Sequence, residues 1–293
     1  MQHEYIDLFS ELLNSPTFST LVAGAFGALF GAWGAQIAIA RNQKKQIFYS
    51  DIRNTNAALA ICFSISNTYV TIKKQNVLPM WNNYSSLQNS FAELQSKIEN
   101  GENLGGLIFE LKADLEALNA VKTPIDILEK YVFDNLLLGG RALAATIQLR
   151  TSIENYNYLI NYRNELISEI RNTRPHTPEE LSCLYLGAPA KNGDLDLRYK
   201  STMEGINAYL NDCIFFSQFL EKEISAYGKR LRKFRFNFLG RRTPKIDKAD
   251  WSQAKEEGLL PDPENYKSWT QGFKEHESLM SKLKTKLSRN SNK

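Results

Sequence analysis

Apolar and polar positions alternate along this chain almost entirely at helical spacing, and one stretch breaks that rule by having no polar face. Residues 21 to 40, LVAGAFGALFGAWGAQIAIA, are twenty consecutive positions without a charge, followed at once by RNQKK. At about 1.5 Å per residue they reach roughly 30 Å, the thickness of a bilayer's hydrocarbon core, with Gln36 the only strongly polar member. The pattern predicts one membrane-spanning helix over residues 19–40, opened by Ser15 as N-cap and Pro16 at the first helical position. Residues 1–18 carry Glu4, Asp7 and Glu11 and no Lys or Arg. This argues against a cleaved signal peptide, which needs positive charge before a shorter apolar core, although Ala38-Ile39-Ala40 has the look of a cleavage site. A core helix of a soluble protein is the other alternative, and it would rarely be apolar on every face for this length.

Beyond the span the period is that of amphipathic helices. Ile52, Leu59, Phe63 and Val70 carry the first helix onward, and Trp81, Tyr84, Leu87, Phe91, Leu94 and Ile98 form a stripe ended by Asn100-Gly101. Leu104, Leu107, Leu111, Leu115 and Leu118 predict a further helix. Thr123, with Pro124 and Asp126 after it, reads as an N-cap opening a long helix through Ile125, Leu128, Val132, Leu136, Leu143 and Ile147 toward Ile170, with a kink or close packing at Gly139-Gly140. Residues 173–198 hold Pro175, Pro178, Pro189 and Asn192-Gly193 and read as an irregular connection. The strongest signal is Ile206, Leu210, Cys213, Phe216, Leu220, Ile224, Tyr227, Leu231, Phe234 and Phe238, one apolar face over some thirty residues. No alternating strand pattern of useful length occurs. The expected class is all-α: one N-terminal transmembrane helix followed by a cytoplasmic bundle of long antiparallel helices. The expected segments are 1–18 short and extracytoplasmic or interfacial, 19–40 transmembrane, 41–242 the cytoplasmic bundle, and 243–293 a basic helical extension with a disordered tail.

Composition narrows the class without naming a chemistry. Hydrophobic content of 43% and charged content of 23% are ordinary for a folded chain. Cys62, Cys183 and Cys213 are dispersed, without a CxxC pair, so free thiols are expected in a cytoplasmic domain. His3, His176 and His276 are equally scattered, and neither a metal site nor a cofactor is suggested. Phosphate loops, dinucleotide fingerprints, zinc-protease helices and nucleophile elbows are missing from the sequence. The chain is therefore expected to be non-enzymatic.

Charge is divided along the chain and bears on partners. Residues 229–293 hold 17 Lys or Arg against 8 Asp or Glu, while residues 1–228 hold 19 against 24. The densest run, KRLRKFRFNFLGRR, places Lys229, Arg230, Arg232, Lys233, Arg235, Arg241 and Arg242 among Phe234, Phe236 and Phe238. That mixture suits an anionic headgroup layer; nucleic-acid phosphates, or a solvated helix end that continues the core, are the alternatives. Arg41, Lys44, Lys45 and Arg53 follow the span with no basic residue before it, so the N-terminus is expected outside and the C-terminal side in the cytoplasm, with the span in the inner membrane. Within the span, Ala23, Gly27, Gly31 and Ala35 recur every four residues. Such a ridge of small side chains lets a second helix approach closely, which predicts a homo-oligomer.

Two resemblances add expectations. Arg171-Asn172-Thr173-Arg174-Pro175-His176 resembles the R-polar-x3-H motif of HEPN ribonucleases, an all-α family; the resemblance implies that Arg171 steadies phosphate charge and His176 shuttles a proton. In that family both residues sit on one helix, whereas Pro175 and Pro178 interrupt it here. GAFGALFGAWGAQ (24–36), RNTNAA (53–58) and KKQNV (73–77) resemble segments of uncharacterised bacterial single-pass membrane proteins. That likeness implies an anchored helical architecture of bacterial origin and carries no activity. The leading expectation is an oligomerising, membrane-anchored helical protein acting as scaffold, sensor or membrane-acting effector, with phage defence as one process such an architecture serves, and with a lipid bilayer, a second copy and a cytoplasmic protein as partners. An anchored ribonuclease using Arg171 and His176 and a membrane-tethered nucleic-acid binder are the alternatives.

Overall fold

A computed structural model of the chain describes residues 15–101, 109–173, 177–189, 193–239 and 244–273. It is an all-α helical bundle; among the described residues the only extended pairing is a single bridge between Pro189 and Leu195. Helix α1, Pro16–Ile72, opens at the proline expected at the first helical position. A π-turn, Lys73–Val77, joins it without a break to α2, Leu78–Glu99. The short α3, Ile125–Lys130, runs into a second π-turn, Tyr131–Asn135. Then come α4, Gly140–Thr173, α5, Pro178–Leu186, and α6, Arg198–Leu239. The C-terminal part carries α7, Ser252–Glu256, a 3-10 turn, Pro263–Tyr266, and α8, Lys267–Gln271. The expected termini, residues 1–14 and 274–293, lie outside the described residues.

The chain divides into two compact units. One comprises residues 1–54 and 229–245. Its α1 portion contains the apolar segment, whose side chains from Ala23 to Ala40 are all exposed, including Leu29 at 67%, Phe30 at 62% and Trp33 at 62%. Phe48 and Ile52 are the first fully buried side chains on α1. This segment is long and apolar enough to cross a membrane.

The other unit comprises residues 55–228 and 246–293. Its core is built by three long helical stretches, from α1, α4 and α6. Down α1 and up α6 the neighbours keep step: Lys73 meets Asn211, Cys62 lies beside Glu221, and Thr55 lies against Gly228. These pairs make the two helices antiparallel. Arg141 pairs with Glu223, Leu159 covers Gly205, and Glu169 binds Arg198, so α4 also runs antiparallel to α6. Of the stripe that the sequence predicts on α6, Ile206, Leu210, Cys213, Phe216, Leu220, Ile224 and Tyr227 are buried and Leu231 is half-buried, while the side chains of Phe234 and Phe238 lie outside the described ones; Tyr199 and Met203 extend the buried face toward the helix start. All three cysteines are free thiols.

Three local expectations are corrected. Residues 109–124 form no helix; they run extended along α4, because side chains of α4 supply the hydrogen bonds that a helix would have supplied to itself. The predicted long helix from Thr123 is interrupted. Pro124, not Thr123, is the N-cap of α3, and the Thr123 hydroxyl is buried without a partner among the described residues. Leu136 is extended (φ −119°, ψ 133°), and helix resumes at Gly140. The interruption rotates the register, so that Ala142, Ala145, Leu149, Ile153 and Tyr156 are buried whereas Ile147 is 53% exposed. Arg150 holds α3 against α4 through a two-pronged contact with Glu129 (2.5 and 2.6 Å) and a contact with Asp126. Finally, the proline-rich connection contains α5. Thr177 accepts from the Glu180 N–H at its start, and Gly187 ends it in the left-handed region (φ 72°).

Candidate functional site

The ridge of Ala23, Gly27, Gly31 and Ala35 lies wholly on exposed helix surface. A Cβ added at Gly24, Gly27, Gly31 or Gly34 would meet nothing within 4 Å. Among the described residues nothing covers this face. The basic segment is helical through Leu239, with Lys229, Arg230 and Lys233 exposed and Arg232 half-buried, its Nε shielded and without a partner among the described residues. Arg235 lies on the same helix. Arg241 and Arg242 lie outside the described residues.

Arg171 and His176 are not brought together as a motif. Arg171 lies in the last turn of α4, which ends at Thr173, and its Nη2–H donates to the Leu115 carbonyl at 2.7 Å. His176 lies outside the described residues.

What Arg171 joins is a ladder the sequence analysis missed. Asn164 accepts from the Leu118 N–H (3.0 Å) and donates to the Leu118 carbonyl (2.7 Å). Asn157 does the same at Val121, at 2.8 and 3.0 Å. Asn157, Asn164 and Arg171 recur every seven residues, about 10.5 Å along a helix axis, while their partners Val121, Leu118 and Leu115 recur every three residues of extended chain, about 10 Å. The two periods match, so one helix face reads an extended backbone running antiparallel to it. Between the rungs, Arg163, with no exposed surface, donates to the carbonyls of Glu116 (2.6 Å) and Asp114 (3.2 Å) and lies 5.8 Å from the Tyr199 ring. The Asp114 N–H donates to the Tyr185 hydroxyl oxygen at 3.1 Å, and the Tyr199 hydroxyl donates to the Asp114 carbonyl at 3.3 Å. Burial raises the pKa of both tyrosines, so they remain neutral donors and acceptors here. This arrangement holds backbone in place, and its chemistry is that of a clamp.

A second polar cluster sits at the π-turn that joins α1 to α2. Lys73 is only 8% exposed, and its Nζ donates to Asn211 Oδ1 at 2.7 Å. Nearby, the Tyr266 hydroxyl donates to Asp212 Oδ1 at 2.7 Å, and the Tyr266 ring stacks on Phe215 with centroids 3.7 Å apart. Burial lowers the pKa of Lys73 and raises that of Asp212, the hydrogen bond from Tyr266 working against the latter shift. Lys74 next door points elsewhere and pairs with Glu257 at 2.7 Å. Helix packing sends these two adjacent lysines to different partners. No group of three His, Cys, Asp or Glu side chains suited to a metal ion occurs among the described residues.

The fold thus defines an all-α helical protein with one N-terminal helix long and apolar enough to cross a membrane. No protein-family model, curated protein or solved structure matches the chain.

Proposed function

We propose that the chain is an oligomerising, non-enzymatic protein of the bacterial inner membrane, anchored by residues 19–40, whose cytoplasmic bundle serves as a scaffold or sensor. The observation that carries this reading is the helix Pro16–Glu99, 84 residues long, whose uncharged apolar segment is exposed from Ala23 to Ala40 and which then runs on into the packed bundle, where its last buried side chain is Tyr84. A helix without a break between anchor and bundle is a stiff connection, so a rotation or displacement of one end is carried to the other. The small-residue ridge supplies a face for a second copy. The basic end of α6 contributes too: residues 229–245 group with residues 1–54 in one compact unit, and antiparallel travel from Gly228 beside Thr55 carries Lys229–Leu239 back toward Arg41, Lys44 and Lys45. Anionic headgroups would meet both sets of charges.

Arg171 Nη2–H donates to the Leu115 carbonyl, which favours a structural role for this residue over the ribonuclease alternative. Membrane extraction tests the proposal. The chain should stay in the membrane fraction at alkaline pH and be released by detergent; release without detergent overturns the anchor. Induced expression then separates the roles, since a scaffold or sensor leaves the membrane potential intact, whereas depolarisation would replace it with a membrane-acting effector.

A further inference from the structure

Beside the π-turn of the long N-terminal helix lies a cavity of about 430 Å³. Lys73, Asn211 and Asn265 line one side of its chemistry, and Asp212, Asp262 and Tyr266 the other. The extra residue of a π-turn widens the helix locally, a distortion that recurs at functional sites because it re-aims side chains at some cost in backbone geometry. Here it sets Lys73, more than nine-tenths buried, against the cavity with one neutral acceptor, Asn211 Oδ1, and no carboxylate within 4.0 Å among the described residues. A buried ammonium without a counter-charge is costly. Asn211 has its oxygen turned to Lys73, so its amide N–H groups remain for another acceptor. The amide side chain of Asn265 makes no hydrogen bond to the described residues, its backbone N–H alone being engaged by the Asp262 carbonyl. Three donor groups therefore line the cavity with few acceptors of their own. Opposite in character is Asp212: one oxygen receives the Tyr266 O–H, and the other is left to accept.

We propose that this cavity binds a small carboxylate that also carries a hydroxyl donor, the carboxylate lying on Lys73 Nζ and the amide N–H groups of Asn211 and Asn265, and the hydroxyl donating to Asp212. The donor set neutralises one negative charge. Asp212 and Asp262 in the same wall disfavour a second, which selects a monocarboxylate over phosphate. Because Lys73 lies on the same unbroken helix as the apolar segment, occupancy would give the proposed sensor its input; the site itself stands whether or not that segment crosses a membrane.

The probes are lactate, propionate and inorganic phosphate, applied to the detergent-solubilised full chain. Acetylation of lysines by an N-hydroxysuccinimide ester is followed by mass spectrometry, with Lys74 as internal reference. Lactate should slow modification of Lys73 at least fivefold and leave Lys74 unchanged; propionate, lacking the hydroxyl, should protect less. The Asp212→Asn variant should bring the two acids closer together, and Asn211→Ala should abolish the protection. If Lys73 is too buried to react, melting temperature decides: lactate should raise that of the parent and not that of Lys73→Met. Equal slowing at Lys73 and Lys74 reports only ionic screening and overturns the site. Protection by phosphate and not by lactate overturns the carboxylate assignment. An absence of both protection and melting shift overturns the proposal while leaving the anchored-scaffold reading untouched.

Discussion

Polar side chains of α4 hold the extended segment 109–124 against the bundle. Asn157 and Asn164 each satisfy both backbone groups of one residue in the extended segment, so replacing either with Leu orphans an N–H and a C=O at once. Each such loss costs about 1–3 kcal/mol. Asn157→Leu with Asn164→Leu should therefore free the segment: amide exchange at Leu118 and Val121 should quicken tenfold or more, with α1, α4 and α6 still protected. Uniform acceleration across all helices would show instead that the segment is needed for the whole fold. Asp212 offers a test in pH. Burial raises its folded pKa above the unfolded value, so its contribution is most favourable below the ordinary carboxylate range and is lost as pH rises through the folded value. Asp212→Asn keeps an acceptor for Tyr266 and removes the charge. Its melting temperature should exceed the parent's at neutral pH, and the gap should close toward about pH 4. The heptad recurrence of Asn157, Asn164 and Arg171 is visible in the sequence, yet its meaning is not, because nothing local says that an extended chain lies across that face.

At the scale of elements, the long periodic helices and several of their interruptions were legible: Asn100-Gly101 ends α2, α4 stops at Thr173, and the chain leaves helix just before Gly140, beside the kink expected at Gly139-Gly140. The stripe of α6 and the start of α1 at Pro16 fall where the pattern of residues places them. By contrast, Leu104 to Leu118 have helical spacing and residues 109–124 are not helical, since tertiary hydrogen bonds from α4 outweigh a weak local preference. Gly187 marks a turn whose cost can be measured. Its φ of 72° and the Asp196 carbonyl 3.2 Å from an added Cβ predict that Gly187→Ala destabilises by about 1–2 kcal/mol in chemical denaturation. The ridge on α1 makes the opposite prediction for its own fold. A Cβ at Gly31 would meet none of the described residues, so Gly31→Ile should leave the monomer folded; if two spans meet there, crosslinking in membranes should shift toward monomer. An unchanged crosslinking pattern would move the oligomer contact to the cytoplasmic helices.

For the whole molecule, the proposed anchor makes charge the feature on which orientation and contact with a bilayer can be tested. A fluorescent protein fused after Lys293 should fluoresce, and a phosphatase that requires the periplasm should stay inactive there; activity would reverse the topology. In nanodiscs, anionic lipid should protect residues 229–242 of the full chain from trypsin better than neutral lipid does, and the difference should vanish at high salt, since exposed charges are screened beyond about 10 Å at 0.1 M. Protection by nucleic acid and not by lipid would turn the segment into a tether. Helical class, the apolar segment, the division of charge and the buried face of α6 were determined by the sequence alone, because each follows from periodicity and composition, which are local and additive. The extended segment on the α4 ladder and the isolation of Lys73 from Lys74 were decided by tertiary structure, because each depends on a hydrogen-bond partner supplied by residues tens to more than a hundred positions away.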